Sequence, residues 1–182
     1  MNGDDDTLMQ HIRSGNTQRF GSLVERHGHQ LMLFVGRIVS QREDAEDVVQ
    51  NAFVAAYEHL NDYDPERASV QTWLQRIAYH EALRHLRRSK RQMVPLEVTG
   101  DVPDELPETT TAEQLDEAIR QLQPEDQMLL QLYYFDRRAL KDIAYIMGAT
   151  TDTLTREVSR LGSRMHRIRQ RLRVILTRMN NE

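Results

Sequence analysis

A chain of 182 residues with a formal net charge of −4 indicates one or two small domains and excludes a protein that is a polycation throughout. Cysteine is absent, which excludes disulfides and thiolate metal sites and favours a reducing compartment. The acidic start lacks the apolar stretch of a signal peptide, and no apolar run approaches the length of a membrane span. We therefore expect a cytoplasmic protein with no direct membrane insertion.

The first half of the chain has the periodicity of helices, interrupted by few glycines and prolines. The pattern predicts helices over about residues 5–13, 17–40, 42–61 and 69–90, with a loop over residues 61–69 before the last of them. Because four such helices can bury a shared core, we predict a first domain over residues 1–91.

The second half separates into a linker and a second helical domain. Residues 92–110 combine prolines with acids and contain no Lys or Arg, which predicts an extended, flexible acidic linker. Helical segments follow over about residues 112–122, from Pro124 onward, and over 140–147 and 152–179. The predicted fold class is all-α, with two small helical domains over residues 1–91 and 111–182 joined by that linker.

The predicted third helix has one apolar face and one face of acids and amides. Its apolar positions recur at helical spacing: Val48, Val49, Ala52, Phe53, Ala56, Tyr57 and Leu60. The other face carries Glu46, Asp47, Gln50, Asn51 and Glu58. Such a strip suits a basic protein partner, although on charge alone a solvated surface is the better interpretation.

The predicted fourth helix carries a basic stripe, with Trp73 on the same side at its head. The members of the stripe recur at offsets of three and four: Arg76, His80, Arg84, Arg87 and Arg91. A basic stripe beside an aromatic ring suits a phosphate backbone with unpaired bases nearby. For Trp73 itself we favour a core anchor, with the adjoining surface meeting the bases.

Residues 140–160 have the form of a helix-turn-helix, with a turn at Gly148 and a second helix capped by Thr151 or Asp152. The residues expected to close the two helices on each other are Ile143, Ala144, Met147, Leu154 and Val158. Outward positions near the start of the second helix suit the major groove of DNA: Thr155, Arg156, Ser159 and Arg160. The alternative is a helical hairpin with a solvated basic face, but the arginine bias of this segment favours DNA binding.

The last helix continues with an apolar stripe at near-heptad spacing: Met165, Ile168, Leu172, Ile175 and Met179. Packing within its own domain and a surface for a partner explain this stripe equally well. The sequence has no glycine-rich phosphate loop, nucleophile elbow or zinc-hydrolase spacing, and its histidines form no metal-binding pair. We therefore predict a protein that is not an enzyme, with no cofactor, no metal and no small-molecule substrate.

Several short segments resemble the extracytoplasmic-function sigma factors of bacteria. Residues 45–53, 73–78 and 86–88 resemble region two of that family. Residues 122–124, 134–135, 142–144, 147–148 and 153–154 resemble region four. The resemblance covers almost the whole chain, with both domains in the family's order and the linker between them.

The resemblance implies a transcription initiation factor that binds core RNA polymerase and promoter DNA, with an anti-sigma factor as a further partner. The residues implied to contact the β′ clamp helices of the polymerase are Glu46, Asp47, Gln50, Asn51 and Phe53. Those implied to engage the −10 element and its opened strand are Asn61, Tyr63, Arg67, Ser69, Trp73, Arg76, His80, Arg84 and Arg87. Those implied to read the −35 element are Thr151, Thr153, Thr155, Arg156, Ser159, Arg160 and Arg164.

The chain departs from the family pattern at four positions, so a promoter sequence cannot be transferred from relatives. His80 stands where the family often has Asn, Arg84 where it has Asp, and Gly162 where Arg is common. Glu157 replaces a basic residue and could accept from a cytosine amino group or pair with Arg160 or Arg164. A sigma-like protein that titrates an anti-sigma factor without directing transcription is the main alternative, and a free-standing DNA-binding regulator is a weaker one.

Overall fold

The structure, a computed structural model, describes residues 3–89 and 110–181. Every regular element within these two ranges is helical, which confirms the all-α prediction. One compact unit comprises residues 3–89 with the short segment 145–149, and the other comprises residues 110–144 and 150–181. The linker predicted over residues 92–110 lies, except for Thr110, outside the described residues.

The N-terminal unit contains four α-helices. They are α1 (Gly3–Arg13), α2 (Phe20–Val35), α3 (Arg42–Glu58) and α4 (Val70–Ser89), with short 3-10 turns at Thr17–Arg19 and Leu60–Asp62. The predicted helix over residues 17–40 is therefore too long at both ends. The N–H groups of Ile38 and Val39 both donate to the carbonyl of Val35 at 3.0 Å, so the chain turns there instead of continuing as a helix.

The core of this unit lies where α3 packs against α2 and α4. Alanines on the facing sides of the helices are fully buried, and their small side chains let the backbones approach closely: Ala52 and Ala56 on α3, Ala78 and Ala82 on α4. Larger buried side chains such as Phe34 and Leu74 fill the remaining space. The face of α3 opposite this core remains free to meet solvent.

Helix α1 is docked onto the unit by apolar and charged contacts. Leu8, Met9 and Ile12 are buried. Asp5 forms an ion pair with Arg26 on α2, and its Oδ2 lies 3.2 Å from Nε2 of the buried His27. Burial lowers the pKa of His27 below its ordinary value of 6.5; nearby Asp5 opposes this shift and Arg26 adds to it.

The lowered pKa of His27 predicts an N-terminal unit that loses stability as the pH falls below about 6.5. In that range the unfolded chain binds a proton that the folded unit excludes, so the free energy of unfolding decreases by at most about 1.4 kcal/mol per pH unit. Thermal unfolding between pH 7.5 and 5 measures the effect. We expect a shallower pH dependence for His27→Gln than for the wild type, whereas the exposed His29→Gln should retain the wild-type slope. If the stability of all three proteins depended equally on pH, the effect could not be assigned to His27.

From residue 110 onward the chain forms α5 (Ala112–Arg120), α6 (Pro124–Leu130), a π-helical turn at Gln131–Phe135, α7 (Leu140–Ile146) and α8 (Leu154–Asn181). Thr111 and Gln114 form a capping box at the start of α5. Pro124 occupies the first turn of α6, as the sequence predicted. None of the helices in the described ranges is both long and apolar enough to cross a membrane.

The apolar stripe of α8 is used inside this unit, where α8 packs against α5 and α6. Met165, Ile168, Leu172 and Ile175 are buried, so the structure decides for packing within the domain over a partner surface. Buried Asp126 on α6 holds the two helices together, because its Oδ1 accepts from Arg164 Nε at 2.6 Å and its Oδ2 from Arg171 Nη1 at 3.3 Å.

Candidate protein and nucleic-acid interfaces

The polar face of α3 is a continuous exposed surface. Glu46, Asp47, Gln50 and Asn51 are all exposed on it. Phe53, predicted to join them, lies in the core with only 7% of its surface exposed, and its ring meets Phe20 edge-on at 6.4 Å. This placement follows from helical spacing, because Phe53 belongs to the same stripe as the buried Val49 and Ala56.

Two apolar side chains on α3, those of Val54 and Tyr57, are exposed. Val54 is 58% exposed and follows Gln50 by four residues, so it continues the polar face. Tyr57, which was predicted to belong to the apolar stripe, is 44% exposed, and its ring lies edge-on to that of Phe20 with their centres 5.2 Å apart. The α3 surface, defined as Glu46, Asp47, Gln50, Asn51 and Val54, thus has an apolar residue among acids and amides.

The loop between α3 and α4 (residues 59–69) contains several of the residues predicted to bind the −10 element, some exposed and others engaged in the fold. Asn61 and Arg67 are exposed. Tyr63 is buried, with its ring 5.5 Å from that of Trp73. Burial, followed by the hydrogen bond of its hydroxyl to Asp6, raises the pKa of Tyr63, so the hydroxyl stays protonated and donates.

Trp73 and Ser69 have roles inside the unit. Trp73 is only 4% exposed, which confirms it as a core anchor. The hydroxyl of Ser69 precedes α4 and accepts from the N–H of Thr72 at 3.2 Å, while the two hydroxyls lie 2.9 Å apart. Ser69 therefore caps α4, and in this conformation its hydroxyl is occupied by the helix it starts.

The basic residues of α4 border an open groove of about 530 Å³, which is lined by His80, Leu83, Arg84, Arg87 and Arg88. Arg84 and Arg87 are exposed, whereas Arg76 and His80 are half-buried. Arg84 also pairs with Glu81 at 2.8 Å. Burial, and then the positive charges of Arg76, Arg84 and Arg87, lower the pKa of His80, so the imidazole is neutral at pH 7. The last member of the predicted stripe, Arg91, lies outside the described residues.

The start of α8 presents the side chains that were predicted to face outward: Thr155, Arg156, Ser159 and Arg160 are all exposed. The predicted cap was wrong. Since α8 begins at Leu154, the residue before the helix is Thr153, and its hydroxyl accepts from the N–H of Thr150 at 2.9 Å. Thr151 is exposed in the same turn, and Gly148 has φ +114°, a conformation that suits the absence of a side chain.

Two of the predicted −35 arginines share one carboxylate on α8. Glu157 Oε1 lies 2.9 Å from Arg160 Nη1 and 3.5 Å from Arg156 Nε. Pairing with Arg160 was one of the predicted alternatives, and pairing with Arg164 was not found because Arg164 is engaged by buried Asp126. The exposed positive charge at the start of α8 is therefore partly neutralised by its own helix.

Comparisons with known proteins place this all-helical, two-unit chain among transcription factors. Residues 23–92 match the family described as sigma-70 region 2. The chain is 30% identical over 172 residues to the ECF RNA polymerase sigma-E factor of Escherichia coli K12, covering 86% of this chain and 89% of that protein. It is 28% identical over 172 residues to the RNA polymerase sigma-H factor of Pseudomonas aeruginosa, with the same two coverages, 86% and 89%.

Solved structures show the same fold. The structure of CnrH in complex with the cytosolic domain of CnrY has a TM-score of 0.61 at 24% identity, covering 94% of this chain and 96% of that one. The sigma factor RpoE in complex with the anti-sigma factor NepR from Bartonella quintana has a TM-score of 0.51 at 20% identity, covering 82% and 95%. This chain belongs to the extracytoplasmic-function family of sigma-70 RNA polymerase sigma factors.

Proposed function

We propose that this sigma factor binds core RNA polymerase through the α3 surface and directs it to promoters. The observation that carries the proposal is the pairing of an acidic, amide-rich surface on α3 with a basic groove on α4, the helix that packs beside it. One unit then offers one surface to a basic protein partner and another to a phosphate backbone. An apolar residue, Val54, lies among the polar ones, as in the central parts of many protein interfaces.

In this proposal the α3–α4 loop and the α4 groove engage the −10 element after strand opening. Asn61 and Arg67 are exposed on the loop, and Arg84 and Arg87 are exposed at the groove, where the positive charges of the arginines would attract phosphates. Tyr63, Ser69 and Trp73 support that surface from within. In this proposal the protein is not an enzyme: it opens the DNA strands by binding the open form more tightly than the closed form, and no catalytic residue is needed.

The start of α8 is the proposed reader of the −35 element, through Thr155, Arg156, Ser159 and Arg160, with Thr151 and Thr153 in the turn before it. Arg164 is assigned to the fold, since it pairs with Asp126. An anti-sigma factor is the proposed second protein partner, because similar structures hold sigma factors with CnrY and with the anti-sigma factor NepR.

Run-off transcription on fragmented genomic DNA, with sigma-free core polymerase of the same organism, tests the proposed function. We expect discrete transcripts that require both proteins, and their aligned start sites define both promoter elements. Binding to core without any transcript would favour a decoy for an anti-sigma factor. No binding to core would overturn the proposal.

The carboxylate of Glu157 is expected to weaken DNA binding by holding Arg156 and Arg160. Replacing it with glutamine removes this charge, so Glu157→Gln should bind a −35 duplex about threefold to tenfold more tightly at 0.1 M salt, with a steeper salt dependence by about one ion. Fluorescence anisotropy across a salt series measures both quantities. The opposing variant Arg156→Ala/Arg160→Ala should bind more weakly and with a shallower slope. Weaker binding by Glu157→Gln would instead indicate that Glu157 accepts directly from a base.

A further inference from the structure

Helix α1 lies before the segment that matches sigma-70 region 2, which begins at residue 23, yet it is tied to the α3–α4 loop. The guanidinium of Arg13 donates to the carbonyl of Leu60 from Nε at 2.8 Å and from Nη2 at 2.6 Å. Nη2 also donates to the carbonyl of Tyr63. One planar cation thus joins both ends of the turn formed by residues 60–63, and its fork geometry is suited to two carbonyls at once.

A second tie connects α1 to the same turn. Asp6 lies seven residues before Arg13, hence on the same side of the helix two turns away, and its Oδ1 accepts from the Tyr63 hydroxyl at 2.6 Å. The Arg13 guanidinium also lies over the Tyr63 ring, 5.6 Å from its centre. Tyr63 is therefore held by α1 at its backbone, its ring and its hydroxyl, while the ring packs against Trp73.

These contacts fix the backbone on both sides of the exposed Asn61. Loop carbonyls would otherwise be free to exchange hydrogen bonds with water, and the loop would sample several conformations. A loop that is already ordered pays less conformational entropy when it binds a ligand and presents its side chains in one arrangement. Selection among bases needs such a fixed arrangement, whereas attraction to phosphates does not.

We propose that Arg13 and Asp6 are positioning residues for the −10 element: from α1 they hold the turn of residues 60–63 in the conformation that selects bases. This inference rests on the proposed function of the α3–α4 loop. It assigns to α1 a part in sequence selection and none in attraction to the DNA backbone, since neither Arg13 nor Asp6 is assigned to the DNA-binding surface.

A merely structural role for α1 makes a different prediction, and the chain contains a matched control. Arg26 lies on α2 and also ties α1 down, through its ion pair with Asp5, but in the described part of the chain no hydrogen bond or ion pair joins it to the loop. If α1 acts only by completing the fold, Arg26→Ala and Arg13→Ala should have similar consequences. If Arg13 positions the loop, only Arg13→Ala should change the selection of bases.

The test uses the full chain assembled with core polymerase and single-stranded −10 oligonucleotides, with the sequence taken from mapped start sites. The quantity measured is the ratio of affinities for the −10 sequence and for a scrambled one. We expect Arg13→Ala to lower this ratio about tenfold, because it removes charged hydrogen bonds to the loop backbone. Its affinity for core polymerase should stay within about twofold of the wild-type value. Arg13→Lys should recover part of the ratio, because an ammonium can reach one carbonyl, and Arg26→Ala should keep the wild-type ratio.

A second pair of variants covers the case in which Arg13→Ala fails to fold. Asp6→Ala should lower the ratio, and Asp6→Asn should restore it, because the amide oxygen still accepts from the Tyr63 hydroxyl. An unchanged ratio in Arg13→Ala would overturn the inference. If Arg13→Ala does not fold, an unchanged ratio in Asp6→Ala would overturn it instead. An equal loss in Arg26→Ala would overturn it too. A wild-type protein that binds core but shows no preference for the −10 sequence would refute the proposed function itself, which separates the two failures.

Discussion

Replacing Glu46 and Asp47 together with arginine is expected to weaken binding to core RNA polymerase by at least about 100-fold, or roughly 3 kcal/mol. Both side chains are exposed on α3 beside Gln50 and Val54, so the change leaves the buried face of the helix untouched. Placing two positive charges against a basic partner replaces attraction with repulsion, and such like-charge contacts cost several kcal/mol.

The two single variants should differ, because the carboxylates have different surroundings. Glu46 is already paired with Arg42 at 2.8 Å, whereas the described part of the chain shows no ion pair for Asp47. Asp47→Arg should therefore cost more affinity than Glu46→Arg. Binding of labelled protein to core, measured in competition, gives the three values. The exposed Glu25→Arg on α2 is the control and should bind like the wild type; undiminished binding by the double variant would remove the α3 surface from the polymerase interface.

The second large effect is expected at Asp126, the buried acid of the C-terminal unit. Asp126→Ala should lower the free energy of unfolding of this unit by about 2 kcal/mol, because it removes two charged hydrogen bonds between α6 and α8 and leaves a small cavity. The cost remains below that of breaking a fully buried pair, since the side chains of Arg164 and Arg171 are 33% and 41% exposed and can turn to water.

Thermal unfolding of the full chain at pH 7 measures this effect, with an expected drop of about 10 °C for the transition of the C-terminal unit. Asp126→Asn keeps the shape of the side chain and one acceptor oxygen, so its melting temperature should fall by about half as much. The exposed Asp116, which pairs with Arg120 at 2.8 Å on the surface of α5, supplies the control, because surface ion pairs contribute little. Similar melting temperatures for Asp126→Ala and Asp116→Ala would show that the buried ion pairs do not hold α6 to α8.

Helical periodicity in the sequence predicted most of the fold. The spacing of Val48, Ala52 and Ala56 placed the buried face of α3, and the acids and amides on the opposite side then had to be exposed. Pro124 marked the first turn of α6, and the outward positions at the start of α8 were correct. The buried and exposed faces depend on residues three or four apart on one helix, and the start of α6 depends on proline itself, so a single sequence displays all of these features directly.

Contacts between distant segments could not be derived in this way. Nothing in the spacing of Arg13 or Asp6 pointed to the turn of residues 60–63, since 47 residues separate Arg13 from Leu60. The same holds for Asp126 and Arg164, which are 38 residues apart, so Arg164 was taken for a DNA-binding side chain. Periodicity also gave Phe53 a place in the core, and only the resemblance to sigma factors moved it to the surface.

By itself, the sequence determined the helical class, the face that each long helix buries, and the resemblance to sigma factors, because all three depend on short segments of neighbouring residues. Tertiary structure decided which of the candidate side chains remain available to a partner. Packing buried Phe53, Tyr63 and Trp73, and charge pairing engaged Arg164. The reason is physical: whether a side chain is free depends on which distant groups compete with water and ligand for it, and folding brings those groups together.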